Sequence, residues 1–196
     1  PQTPPTMEIA AFSPQGVGSF DMVKMQKVKE GMDKPCTLES VGQNQGLAVY
    51  SAPLPAGESA TLTCRAHDYA LVYVGNQYVG TIDRMKGQTS IKLPRRESDT
   101  TLRVVVDTFG HVNFCSYMEK DRKGIIGSVK LGDAELKNWS LHVHPLTTVP
   151  QVVDGKPDAS VKGGLFKAEI ELTTVQDTFI DMAAWPKGYV WVNGHL

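Results

Sequence analysis

The sequence predicts an all-β fold: an antiparallel β-sandwich followed by part of a second, similar sandwich. Three observations carry this. Apolar and polar residues alternate with period two from residue 47 onward, β-rich runs recur roughly every 8 to 12 residues with turn signals between them, and no long stripe of helical period interrupts them. Composition agrees. Of 196 residues 41% are hydrophobic, which excludes a disordered chain, and 18 Gly with 12 Pro make turns frequent. Twenty Lys+Arg against 21 Asp+Glu leave a net charge of −1. That balance argues against nucleic acid or a membrane surface as partner, since both are bound through a surplus of basic groups. No apolar run approaches the roughly 20 residues of a membrane-spanning helix, so a soluble chain is expected.

The elements follow in order. Residues 1–36 open Pro-Gln-Thr-Pro-Pro and carry Gly16, Gly18, Gly31 and Pro35, the composition of a connector, with one short strand or helix near Phe20 to Val28. Gly16-Val-Gly18 lacks the third glycine of a dinucleotide fingerprint and reads as a turn. Pro1 stands where an initiator Met would be, so the start reads as processed or cut from something longer. Ala60, Leu62, Cys64 and Ala66 alternate with Thr61, Thr63 and Arg65, which makes one half-buried strand. Asp68 to Val74 and Gln77 to Ile82 flank Gly75-Asn76, a two-residue link suited to a hairpin. Further strands are expected at Ser90 to Leu93, Thr101 to Val106, Val112 to Tyr117, Gly127 to Leu131, Trp139 to His144, Leu165 to Leu172, Thr178 to Met182 and Tyr189 to Val192. Cys36, Cys64 and Cys115 are too few for a disulfide scaffold, and Cys64 falls on the buried face of its strand.

An offset of 118 residues exposes an internal repeat. Leu62 aligns with Ile180, Cys64 with Met182, Ala66 with Ala184, Val72 with Val190, Tyr73 with Trp191 and Val74 with Val192, and Gly75-Asn76 falls on Asn193-Gly194. The expected organisation is a connector over 1–36, a first sandwich over 37–136 and an incomplete second sandwich over 137–196, the less stable part of the chain because its sheets lack partners.

The stretch Glu39-Ser-Val-Gly-Gln-Asn-Gln-Gly-Leu-Ala-Val-Tyr50, then His67-Asp-Tyr-Ala-Leu-Val-Tyr-Val-Gly-Asn-Gln-Tyr-Val-Gly-Thr-Ile-Asp-Arg84, resembles the first β-sandwich of family 35 glycoside hydrolases, the retaining β-galactosidases. Gly110-His-Val-Asn-Phe114 and Asp121-Arg-Lys-Gly-Ile-Ile-Gly127 resemble the same domain. Thr178-Phe-Ile-Asp-Met182, Trp185 and Lys187-Gly-Tyr-Val-Trp-Val-Asn-Gly-His195 are similar to the family's galactose-binding-like sandwich. The resemblance implies jelly-roll and galactose-binding-like sandwiches. Cys115 replaces an expected Gly. Ala183-Ala184-Trp185-Pro186 replaces a Ser-Gly-Trp-Gly pattern, and Pro186 should reshape that loop by fixing φ and removing a donor.

The resemblance further implies that the two catalytic glutamates belong to a (β/α)8 barrel with no counterpart here. Residues 1–36 would then follow an absent barrel, that barrel would be the chain's partner, and the chain alone would be inactive on terminal β-galactosides. Asp68, Asp83 and Asp181 read as turn, cap or ion-pair residues, and Lys120-Asp-Arg-Lys-Gly124 as a solvated loop. Ser116 and Ser128 lack a nucleophile context. No cofactor or metal is expected: His142 and His144 share a strand face but have no third ligand nearby. The carbohydrate-binding candidates are Trp185, Trp139 and His195, because aromatic faces stack on the apolar face of galactose; Trp191 reads as core packing. Galactose-containing glycans are the small-molecule partners implied, and the family's substrates favour an extracytoplasmic location. Three functions follow: an accessory region bracing a β-galactosidase barrel, an autonomous carbohydrate-binding module, or a structural domain that pairs through open strand edges.

Overall fold

The structure is a computed structural model and describes residues 5–20, 23–152, 163–185 and 187–196. Fourteen strands are assigned among them: β1 (Gln15–Ser19), β2 (Gln26–Met32), β3 (Leu47–Leu54), β4 (Ala60–Thr63), β5 (Ala66–His67), β6 (Tyr69–Val74), β7 (Gln77–Asp83), β8 (Ser90–Leu93), β9 (Thr100–Asp107), β10 (Gly124–Ile125), β11 (Lys130–Leu131), β12 (Ala134–Glu135), β13 (Trp139–His144) and β14 (Gly164–Lys167). A six-stranded antiparallel sheet, in the order β2-β13-β3-β9-β6-β7, faces a four-stranded sheet, β12-β11-β4-β8. Two short ribbons, β10-β5 and β1-β14, complete the architecture. The fold is all-β, as the alternation demands.

Period-two patterning sorts each strand of the large sheet between two faces. Ala48, Tyr50, Ala52 and Leu54 of β3, Leu102, Val104 and Val106 of β9, and Ala70 and Val72 of β6 point inward, onto Leu62 and Leu93 of the small sheet. Cys64 shares that core with Leu62 and Ala66; burial pushes its thiol up to about 12, so it stays protonated and inert. All three cysteines are free, and Cys115 is exposed. Val49, Leu71, Tyr73 and Val105 point outward, yet they too are buried, under Phe20 and Met25.

Three expectations are corrected here. Trp139–His144, expected to open the second sandwich, is an inner strand of the first: β13 lies between β2 and β3, with Trp139, Leu141 and Val143 in the main core. Gln26–Met32, expected within the connector, is an edge strand of the same sheet. Such pairings join segments far apart in sequence, and local patterning cannot register them. Gly16-Val-Gly18 is not a turn but part of β1, with a bulge between the glycines.

Val112 to Tyr117, Thr178 to Met182 and Tyr189 to Val192 form no strand. Ile180 and Val190, paired by the 118-residue offset with Leu62 and Val72, are exposed where their counterparts are fully buried. The tight turn of the repeat does recur: Val192 and His195 exchange backbone hydrogen bonds across Asn193 and Gly194, at φ 50° and 86°. Pro186 lies outside the described residues.

The β6-β7 hairpin turns through Gly75-Asn76, with Val74 paired to Gln77. Gly75 sits at φ 58°, and a Cβ there would come within 3.1 Å of Thr100 Oγ1. Arg103 Nη2 donates to both Gly75 O and Asn76 Oδ1 at 2.6 Å, which fixes the turn against β9. Gly75→Val places a β-branched side chain in the left-handed region and is expected to cost roughly 1–2 kcal/mol. The midpoint of denaturant unfolding measures it, and an unchanged midpoint would contradict this turn geometry.

Candidate functional site

The motif residues converge at one end of the sandwich. β5 ends at His67, Asp68 follows, and hairpin β6-β7 runs out and back to Asp83. There Asp83 Oδ1 accepts from Met85 N at 2.9 Å and caps the 3-10 turn Arg84–Lys86. Asp121, Arg122 and Lys123 lead into β10, which pairs antiparallel with β5 through Gly124 and His67. Gly124 is demanded by the packing: at φ 96°, a Cβ would lie 2.2 Å from Tyr50 Oη, which donates to Cys36 O at 2.8 Å.

This convergence builds an ion quartet in which Lys123, Asp68 and Asp121 are buried and Arg84 closes the solvent side, its side chain 39% exposed. Lys123, only 2% exposed, donates from Nζ to Asp68 Oδ2 at 2.7 Å and contacts Asp121 Oδ2 at 3.0 Å. Arg84 Nη1 donates to Asp68 Oδ1 and Asp121 Oδ1, each at 2.7 Å. Two anions and two cations cancel, which is the condition for keeping such groups out of water. Phe109 N donates to Asp68 Oδ2 at 2.9 Å, and Lys123 N donates to Glu39 Oε1 at 2.8 Å. His111 Nε2 meets the same Glu39 oxygen at 2.7 Å. The loop from Phe109 to Lys120 is thereby fastened at both ends.

Burial pushes Asp68 and Asp121 up, but Lys123 and Arg84 outweigh it, and both carboxyls stay below the ordinary aspartate range. His67 is held below the usual histidine value, first by burial and then by Arg84, against the pull of the Arg122 carbonyl. Its Nδ1 lies 2.7 Å from that carbonyl, which only accepts, so Nδ1 carries the proton. The Lys120–Gly124 stretch is therefore no solvated loop: Asp121 and Lys123 are among the most buried charges in the chain. Asp68 and Asp121 share Arg84 Nη1, so their oxygens lie close enough for a retaining pair of about 5 Å. The chemistry is wrong for it. Neither carboxyl holds a proton to give, and both are closed to solvent.

The carbohydrate candidates separate. Trp139 is 0% exposed and donates from Nε1 to Leu136 O at 2.8 Å, so neither ring face can meet a sugar; this corrects the expectation. Trp185 is 41% exposed and stands edge-on to Phe166, with ring centroids 5.1 Å apart. His195 is exposed at the end of the Asn193-Gly194 turn. Trp191 is half-buried against Tyr189. Asp181 turns its own loop, with Oδ1 accepting from Ala183 N at 2.9 Å. Among the described residues no group of His, Cys, Asp and Glu is placed to hold a metal ion. Sequence reasoning missed Asp107, whose carboxylate receives Lys187 Nζ and, at 2.9 Å, the Tyr189 hydroxyl; Lys187 also lies over the Phe109 ring at 4.8 Å. Burial raises Asp107 against the pull of Lys187.

Lys123→Ala removes the buried cation and leaves Arg84 alone to balance two carboxylates, and is expected to cost roughly 3 kcal/mol at neutral pH. The pH dependence has a definite sign. Because the native pKa of Asp68 is lowered, its contribution is complete above the unfolded value of about 3.9 and lost as pH falls through the lower native value. The stability gap between the native chain and Asp68→Asn, from denaturant titrations, should therefore be constant from pH 7 to about 4.5 and close below about 3.9. A gap that stays constant into that acid range would contradict the pairing.

Residues 35–147 match the family model described as β-galactosidase, first all-beta domain, and residues 164–196 match β-galactosidase, galactose-binding domain. The β-galactosidase of Xanthomonas manihotis is 30% identical over 165 residues, covering 83% of this chain and 27% of that protein. β-galactosidase-1-like protein 2 of Homo sapiens is 28% identical over 175 residues, with the same two shares of 83% and 27%. The β-galactosidase of Mus musculus is 28% identical over 189 residues, covering 82% of this chain and 28% of that protein. The chain thus spans about a quarter of the length of these relatives. A family match over more than half its length, coinciding with the sandwich whose motif residues build the ion quartet, shows that the chain belongs to the β-galactosidase family.

Proposed function

We propose that this chain is a non-catalytic β-sandwich region of a β-galactosidase acting on terminal β-galactosides, and that it braces a catalytic (β/α)8 barrel of the same parent chain. The observation that carries the reading is the closed state of the ion quartet. The residues that mark the family are spent on neutralising one another inside the fold, and Asp68 and Asp121 have neither the proton nor the solvent access that glycoside hydrolysis requires. What the quartet does hold is a loop with a large apolar surface: Phe109, Val112, Phe114, Tyr117 and Met118 are exposed, Phe114 to 90%. A surface of that kind, clamped at both ends by buried ion pairs, suits a rigid brace.

A second role is contact with galactose-containing glycans at Trp185, with His195 in the same matched region. Its support is the exposed indole of Trp185, steadied by the edge of Phe166.

The purified 196-residue chain should release no chromophore from a nitrophenyl β-galactoside; turnover that co-purifies with it and disappears in Asp68→Asn would overturn the non-catalytic reading. Titration with galactose should quench tryptophan fluorescence saturably in the native chain and not in Trp185→Ala. Quenching that survives in Trp185→Ala would move the glycan contact elsewhere, and none in the native chain would remove it.

A further inference from the structure

Residues 5–32 lie outside both family matches, yet they join the two regions those matches define. β1 pairs antiparallel with β14, the first strand of the galactose-binding region, from Gln15 opposite Lys167 to Ser19 opposite Gly164. Upstream, Thr6 forms a parallel bridge with Asp177, and Met7 N donates to Asp177 O at 2.9 Å. Downstream, Phe20 N donates to Gly163 O at 3.2 Å, and Lys24 N to Gln151 O at 2.7 Å. β2 then enters the first sandwich beside β13. One short stretch thus supplies a strand to each region.

The side chains repeat the pattern. Phe20 and Met25 pack on Val49, Leu71, Tyr73 and Val105, the outward face of the six-stranded sheet. Gly163 lies against the same surface, where a Cβ would be 2.2 Å from Leu71 Cδ1 and 3.3 Å from Phe20 Cδ2. Gly18 lies so close to Val152 that a Cβ would be 2.5 Å from Cγ1 of that stiff side chain. The galactose-binding region meets the sandwich partly through this layer.

We propose that residues 5–20 are an intramolecular strap that fastens the galactose-binding region onto the outer face of the first sandwich. β1 completes the β14 ribbon, and Phe20 fills the seam beneath it. Among the described residues β14 pairs with β1 alone, and an unpaired strand of four residues does not hold by itself. The strap also sets the position of Trp185, since Phe166, the ring that steadies it, lies opposite Gly16 in the ribbon. The polar tie of Lys187 and Tyr189 to Asp107 holds the far end of the region and does not replace the strap.

Hydrogen-exchange mass spectrometry of the full chain tests this through two variants of different severity. Phe20→Ala empties the seam, and Gly18→Ile wedges β1 away from Val152. In both, peptides covering residues 163–180 should exchange at least tenfold faster than in the native chain, while those covering Leu47–Leu54 and Thr100–Asp107 keep their native rates. Unchanged exchange over 163–180 in both variants would overturn the strap. So would an equal acceleration across both regions, because it would mean that residues 5–20 support the whole fold rather than fasten one part to another.

Discussion

A lysine ammonium enclosed between two carboxylates is the constraint on which the rest depends. Lys123 has almost no access to water, so its charge is tolerable only while Asp68 and Asp121 stay within bonding distance, and Arg84 makes the same demand of those carboxylates from the other side. The four groups come from three places in the sequence: the strand end at His67-Asp68, the end of the β6-β7 hairpin, and the lead into β10. Separating Lys123, Asp68 or Asp121 from the others would leave an uncompensated charge inside the fold, which costs far more than loosening a few dispersion contacts. A joint of this kind is rigid where apolar packing alone would give, and it sets the path of everything attached to it.

What is attached is the large sheet on one side and the Phe109–Lys120 loop on the other. The central strands β3, β6 and β9 are buried on both faces, inward against β4 and β8 and outward beneath Phe20 and Met25. That accounts for the runs of consecutive apolar residues in β3, β6 and β9, where an antiparallel sheet with one wet face would alternate strictly. The loop carries apolar side chains outward and is tied to Asp68 through Phe109 N and to Glu39 through the His111 ring and, just past its end, Lys123 N. The joint thus leads from family motif to exposed surface without passing through any open catalytic pair.

Much of the first sandwich was legible because its signals are local. The Gly75-Asn76 link announces its hairpin, and Asp68, Asp83 and Asp181 prove to be ion-pair, cap and turn residues; the Leu62-Cys64-Ala66 alternation announces buried residues, but the one strand expected there breaks after Thr63 into β4 and β5 of different sheets. The illegible parts depend on distant partners. Nothing near Trp139 says that its strand will lie beside residues 26–32 and 47–54, so its indole read as a sugar platform when it is core. Val112 to Tyr117 and Tyr189 to Val192 have the residue types of strands, and among the described residues they have no ladder to join. Lys120 to Gly124 read as solvated because its charges alternate in sign; only folding brings Asp68 and Arg84 to it and turns alternation into burial. The signal that could have found the quartet was present, since Asp68, Arg84, Asp121 and Lys123 all fall inside the motifs that carry the family resemblance.

The ionisation of the two aspartates decides whether the quartet is a structural joint or a reactive pair. Carbon-13 NMR of the side-chain carboxyls, followed downward from pH 7, should place the titration midpoints of both Asp68 and Asp121 below the ordinary value of about 3.9, because Lys123 and Arg84 hold both carboxyls down. A midpoint above that value for either residue would mean that the folded site favours the protonated carboxyl, which contradicts the closed, charge-balanced joint.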